Sequence, residues 1–199
     1  MKTKLHVIRH GMTRGNRDRL FYGAADYPLV EEGYEELNSL IKEGIYPVMD
    51  DNSIFFVSGL IRCQQTLETI YGERVFTAIP LLKEMDCGEF EGLTFDEVNS
   101  LPQFKEWVKR NDPSDPIPGG ESYNSFYERT SKGFDNLLYV HNLMGRDSFS
   151  VLHGGVICSI MSRCFGDGVG ENFWTWLPKP ARGYTITIDD GRPIEYVKI

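Results

Sequence analysis

Positive charge is what this sequence is shortest of. Lys and Arg number 21 against 29 Asp and Glu, a formal net charge of -8 over 199 residues. That deficit argues against non-specific nucleic-acid binding, which depends on basic side chains neutralising phosphates, so no nucleic-acid partner is expected. Cysteine is sparse as well. Cys63, Cys87, Cys158 and Cys164 form no C-x-x-C pair and no metal-ligand spacing with histidine. Neither a disulfide framework nor a metal site is expected from them, and they read as buried, reduced thiols. Long apolar runs are missing too. Met1-Lys2-Thr3-Lys4 leads straight into a short strand, with no stretch suited to a signal peptide or a membrane span. The expectation is a cytoplasmic protein without a membrane partner. There is no internal repeat and no low-complexity segment.

What is present is ordinary in bulk: 41% hydrophobic and 25% charged residues, as in a water-soluble globular chain. The length suits one domain over residues 1–199 with a single substantial core. Apolar runs at residues 5–8, 54–57, 75–79 and 149–152 read as strands. The second of these, Ile54-Phe55-Phe56-Val57, is continuous, as expected of a strand buried on both faces. Helices are expected over residues 29–44, from about 60 to 71, over 95–101 and 102–110, over 121–143 and over 156–164. The tail alternates around Asp190-Gly191 and predicts a hairpin. Strands alternating with helices imply an α/β fold, a three-layer sandwich with a mostly parallel central sheet flanked by helices.

Chemistry gathers at the strand ends. The first strand breaks into Arg9-His10-Gly11-Met12-Thr13-Arg14-Gly15-Asn16, and the fourth ends at His153-Gly154-Gly155. Arg62 follows the second strand and Glu84 the third. In a parallel sheet these residues meet along the carboxyl edge. Arginine offers phosphate a planar fork of donors, glycine lets backbone amides approach, and Thr13 and Asn16 add neutral donors. Two histidines, two arginines and a glutamate suit phosphoryl transfer without a metal. The arginines neutralise the oxygens, one histidine attacks phosphorus, and a carboxylic acid protonates the departing oxygen. Arg14, Arg17 and Arg19 fit a solvated loop. Phe21, Tyr22, Trp174 and Trp176 fit a core better than a leaving-group pocket.

The segment Arg9-His10-Gly11-x-Thr13-x-x-Asn16 resembles the signature of the histidine phosphatase superfamily, with its phosphoglycerate-mutase-like fold. Similar in turn, and in the family's order, are Gly23-x-x-Asp26-x-Pro28-Leu29, Ser58-x-Leu60-x-Arg62-Cys63-x-Gln65-Thr66, Glu84-x-x-x-Gly88-x-Phe90-Glu91-Gly92 and His153-Gly154-Gly155-Val156-Ile157. Pro118-Gly119-Gly120-Glu121-Ser122 resembles the short phosphatase members, the α-ribazole phosphatase type among them.

The resemblance implies His10 as a nucleophile forming a phosphohistidine that water hydrolyses. Arg9, Arg62 and His153 would clamp the phosphoryl group, with Asn16, Thr13 and the Gly154 amide as donors, and Glu84 would serve as general acid and then base. Glu91 would be structural. It implies a histidine acid-type phosphatase, a phosphoric monoester hydrolase needing no metal and no cofactor. The substrate would be a small-molecule phosphate ester and inorganic phosphate a product. The alternatives are a phosphoglycerate mutase, whose extra segments find no counterpart here, and a non-catalytic phosphate-ligand sensor. Met12 and Ala24 stand where many members carry Glu and Trp. Substrate choice and oligomeric state stay open.

Overall fold

The computed structural model describes residues 2–170 and 172–199. In chain order, β1 (Lys2–Arg9) is followed by the single-turn helix α1 (Arg14–Arg17) and by α2 (Glu31–Lys42). Next come β2 (Ile54–Val57), α3 (Ile61–Tyr71) and the short β3 (Thr77–Ala78). Then α4 (Phe95–Ser100), α5 (Pro102–Arg110) and the long α6 (Tyr123–Met144) precede β4 (Ser148–Leu152) and α7 (Gly154–Phe165). The chain ends in the pair β5 (Gly183–Asp189) and β6 (Arg192–Lys198).

The strands form one sheet in the order β3-β2-β4-β1-β5-β6. β1, β2, β3 and β4 run parallel, whereas β5 and β6 are antiparallel additions beside β1. Alternate residues point to opposite faces of a strand, and both faces here are covered. Leu5, Val7 and Phe56 pack with buried residues of α6 and α7, including Phe126, Phe134, Leu137, Ile157 and Met161. Ile8, Val57 and Phe149 pack with Cys63, Leu67 and Tyr71 of α3, and Leu37 and Leu40 of α2 extend that second layer. The fold is therefore α/β with helices on both faces of a mostly parallel sheet, as expected. No helix among the described residues is long and apolar enough to cross a membrane.

One detail differs from expectation, for a reason periodicity does not carry. The third strand shrinks from residues 75–79 to Thr77–Ala78, with Val75 at 96% exposure. It pairs with β2 alone, at two positions, and a short edge leaves little unpaired backbone to recruit another chain. The hairpin forms with positive φ at both Asp190 (46°) and Gly191 (78°), as a tight primed turn requires, but its place beside β1 is decided by tertiary pairing.

Register is what positions the site. Arg9 pairs with Leu152 across the β1–β4 ladder, and the His10 N–H donates to the Leu152 carbonyl at 2.9 Å. Val57 pairs with Val151, so Ser58, His10 and His153 all stand just past the carboxyl ends of adjacent strands.

Lower in the sheet, His6 and His141 are buried imidazoles. His6 Nδ1 lies 2.8 Å from Thr185 Oγ1 and its ring meets Phe149 at a tilt, 4.6 Å between centroids. His141 bridges Ser148 Oγ at 2.6 Å and Thr3 Oγ1 at 2.7 Å. Burial pushes His6 down to about 4 and lowers His141 as well. Both remain neutral in the fold yet take up protons in the unfolded chain, so stability is full above pH 6.5 and falls as pH drops from 6.5 towards 4. For His6 alone the loss reaches roughly 3 kcal/mol near pH 4. Urea denaturation between pH 7 and 4 should show a shallower decline for His6→Gln than for the wild type. Parallel declines would contradict this reading of His6.

Candidate active site

The site grows from His10, which is 2% exposed. Its Nδ1 lies 2.7 Å from the Gly11 carbonyl. A carbonyl oxygen can only accept, so Nδ1 carries the proton and Nε2 carries the lone pair. Gly11 is in turn held, its N–H donating to Thr66 Oγ1 of α3 at 2.9 Å. Desolvation first, then Arg62 and Arg9, hold the His10 pKa well below the ordinary value of 6.5. The imidazole is a neutral, oriented base.

Arg62 is fully buried at the start of α3. Its Nη1 and Nη2 donate to the carbonyls of Ala25 and Gly23 at 2.8 and 2.9 Å, and Asp26 Oδ1 stands 4.0 Å from Nη1. The guanidinium also lies over the Tyr22 ring, 5.1 Å from its centroid. Arg62 Nε donates to His153 Nδ1 at 3.3 Å, so His153 carries its proton on Nε2 and donates it to Ser58 Oγ at 2.7 Å. The His10 and His153 rings are 5.3 Å apart. Burial, Arg62 and His10 hold His153 well below 6.5. It is neutral in this state, and a phosphate dianion beside it would favour its protonation.

Glu84 lies on a turn after β3 and reaches the start of α7. Its Oε2 accepts the Gly155 N–H and its Oε1 the Met85 N–H, both at 3.0 Å. A Cβ on Gly155 would come within 2.6 Å of Glu84 Oε1, so the close approach needs glycine there. Gly154 opens α7, where the first N–H groups lack intrahelical partners and favour anions. Arg9 donates from Nη1 to the Pro178 carbonyl at 2.8 Å, while its buried Nε has no partner. Asn16 accepts from the Thr13 N–H and hydroxyl at 3.1 Å, leaving its amide NH2 as the group it can offer. Thr13 itself is fully buried as the N-cap of α1, where it holds Asn16 and Tyr22.

Arg9, Asn16, Glu84 and Gly154 line a cleft of about 580 Å³. Phe21, Tyr22, Trp174 and Cys87 line it too, whereas Trp176 does not. Tyr22 and Trp174 are thus cleft walls rather than core, because the loops carrying them fold over the sheet edge. Cys87 and Cys164 are half-buried rather than buried, and all four thiols are free. Arg14 and Arg17 pair with Asp18 on the surface, but Arg19 reaches the cleft.

The family model for branch 1 of the histidine phosphatase superfamily matches residues 5–197. This chain belongs to the histidine phosphatase superfamily. A 2,3-bisphosphoglycerate-dependent phosphoglycerate mutase from Nitrobacter winogradskyi is 32% identical over 172 residues, covering 79% of this chain and 78% of the relative. The α-ribazole phosphatase from Shigella flexneri superposes with a TM-score of 0.79 at 26% identity, over 96% of this chain and 93% of the other. A phosphoglycerate mutase from Thermus thermophilus gives 0.65 at 27% identity, over 98% of both chains.

In this superfamily member two polar clamps hold the loops around the site, and the sequence pointed only to the second. Arg129 of α6 donates to the carbonyls of Leu81, Lys83 and Glu84 and pairs with Glu121 at 2.7 Å, fixing the turn that carries Glu84. Glu91, read only as structural, gathers four backbone N–H groups. Its carboxylate accepts from Gly23 at 2.8 Å, Ala24 at 3.0 Å, Ala25 at 3.2 Å and Cys87 at 3.0 Å. The carbonyls of Gly23 and Ala25 are the ones that hold Arg62. A Cβ on Gly23 would sit 1.6 Å from the Met85 carbonyl oxygen, so this contact also needs glycine. The Phe90-Glu91-Gly92 match marked Glu91 as structural, but nothing in it named the loop amides that the carboxylate serves.

Glu91→Gln keeps the shape but turns an NH2 towards N–H donors. Leaving buried donors unpaired costs about 1–3 kcal/mol, so inorganic phosphate should bind roughly tenfold or more weakly as Arg62 loosens. Calorimetric titration with phosphate reads this, and unchanged affinity in a folded variant would contradict the clamp.

Proposed function

We propose that this chain is a metal-independent phosphomonoesterase acting on a small phosphate ester through a phosphohistidine at His10. The observation that carries the reading is the Nδ1–H bond from His10 to the Gly11 carbonyl. It leaves the Nε2 lone pair free on an imidazole kept neutral by burial and by two arginines. In the first step Nε2 attacks phosphorus and the bond from phosphorus to the ester oxygen breaks. Glu84 delivers a proton to that oxygen, which leaves as an alcohol. Arg9, Arg62 and a protonated His153 neutralise the equatorial oxygens, with Asn16 and the Gly154 amide as further donors. In the second step Glu84 takes a proton from water, the water oxygen bonds to phosphorus, and the bond to Nε2 breaks. Inorganic phosphate departs.

The arginines supply the positive charge that a metal supplies in other phosphatases, so activity should survive dialysis against a chelator. Alkaline quench during turnover should trap an acid-labile phosphoryl group on His10, and His10→Ala should abolish both adduct and turnover. Activity within tenfold of wild type in that variant, about 1.4 kcal/mol of transition-state stabilisation, would reject the nucleophile.

A phosphoglycerate mutase is the second reading, favoured by the 32% identity to one. The greater structural likeness to an α-ribazole phosphatase supports the hydrolase, and α-ribazole phosphate belongs among the substrates to try. Interconversion of 2- and 3-phosphoglycerate separates the two. A sensor that keeps the pocket without chemistry would show neither adduct nor turnover.

Glu84 can be tested by leaving-group chemistry. An alkyl oxygen must be protonated as it leaves, whereas a nitrophenolate departs unaided, and general-acid help is worth about 10²–10⁴-fold. Glu84→Gln should cut the burst of phosphorylation by a sugar phosphate by that order while slowing the burst with nitrophenyl phosphate far less. Equal losses in the two bursts would make Glu84 a binding group and move the acid role to His153.

A further inference from the structure

The phosphoryl site opens past Glu84 into a cleft whose walls are aromatic rather than charged, and this indicates what the leaving group is. Six rings form a continuous arc. Phe95 stacks on Phe21 at 6.2 Å between centroids, Phe21 meets Phe104 at 6.2 Å, and Phe104 meets Trp107 at 6.0 Å. Trp107 then stacks on Tyr123 at 6.2 Å, and Tyr123 meets Trp174 edge-on at 6.3 Å. All six line the cleft of about 580 Å³ together with Glu84 and Gly155. Its size is that of a site for a small organic molecule. The two ends of the arc are open to water: Phe95 is 57% exposed and Trp174 50%. Large apolar rings left exposed where they line a cleft mark a place where an apolar group docks.

Charge points the same way. The cleft's cations are Arg9, which stands at the phosphoryl end, and the exposed Arg19; Glu84 is its carboxylate. A leaving group bearing a carboxylate or a second phosphate would lose water against six rings and Glu84, with Arg19 alone to receive it. A flat, uncharged ring would instead stack on the walls while its ester oxygen meets Glu84.

Resting on the phosphomonoesterase reading above, we propose that the substrate is a phosphate monoester whose alcohol carries an aromatic ring system. The arc from Phe95 to Trp174 is the subsite that selects it. The ring binds several atoms away from the reacting bond, so its effect is on binding and capture, not on the departure of the ester oxygen.

The test compares a purine riboside 5′-monophosphate with ribose 5-phosphate, which share the reacting bond and differ by the ring, and with 3-phosphoglycerate, whose alcohol is anionic. For the wild-type enzyme, kcat/KM for the riboside should exceed that for ribose 5-phosphate by about tenfold or more, with 3-phosphoglycerate the poorest. In Trp174→Ala and Phe95→Ala, both at exposed positions, the ratio of riboside to ribose 5-phosphate should collapse towards one. Tryptophan fluorescence titration of the wild-type protein reads the same preference as binding, independently of turnover. Equal kcat/KM and equal binding for the two ribose esters would overturn the aromatic subsite and leave the hydrolase reading standing. A ratio unmoved by both substitutions would overturn it equally. Selective binding of the riboside without turnover would support the subsite and overturn the hydrolase.

Discussion

A guanidinium with no exposed surface is the constraint on which the rest depends. Arg62 carries a permanent charge into the protein, and such a charge is tolerated only where partners replace its lost water. The partners here are neutral: two loop carbonyls, the His153 ring nitrogen and the face of Tyr22, with Asp26 at the edge of reach. The charge is solvated but not cancelled. What remains is a buried positive potential that adds to desolvation in lowering both His10 and His153 and that an anion can satisfy. The orphaned Nε of Arg9 points to the same unmet need.

The supporting structure serves to hold that potential still. The Glu91 carboxylate fixes the loop whose carbonyls receive Arg62, and Arg129 fixes the turn bearing Glu84. Thr66 holds Gly11, and Gly11 sets the tautomer of His10. Each clamp is a side chain binding backbone, so the reactive groups are placed by main-chain positions instead of by their own flexible torsions. Preorganised dipoles of this kind stabilise developing charge without rearranging during the reaction.

Much of the fold was legible because its signals are local. The apolar run Ile54-Phe55-Phe56-Val57, the Asp190-Gly191 turn and the strand-end placement of His10 and His153 each rest on a few neighbouring residues. The shortened β3 was not legible, because Val75 and Phe76 have strand-like character and only the β2 pairing, which begins at Thr77, decides which residues join the sheet. Tyr22 and Trp174 were misjudged for a related reason, whereas Trp176 does pack against the core. Both have the composition of core residues, and whether a ring faces the interior or a cleft depends on how segments far apart in sequence fold over one another.

By itself the sequence determined the superfamily and the set of candidate residues: Arg9, His10, Arg62, Glu84 and His153 carry side-chain types suited to phosphoryl transfer, and strand ends put them on one edge. Tertiary structure alone decided their electrical state and their surroundings. His10 is neutral and points its lone pair from Nε2 because of burial, two arginines and one carbonyl. Glu91 is a loop clamp because the N–H groups of residues 23–25 converge on it from 66 to 68 positions away. Burial, field and convergence are properties of where chain segments meet, and a linear pattern does not encode that meeting locally.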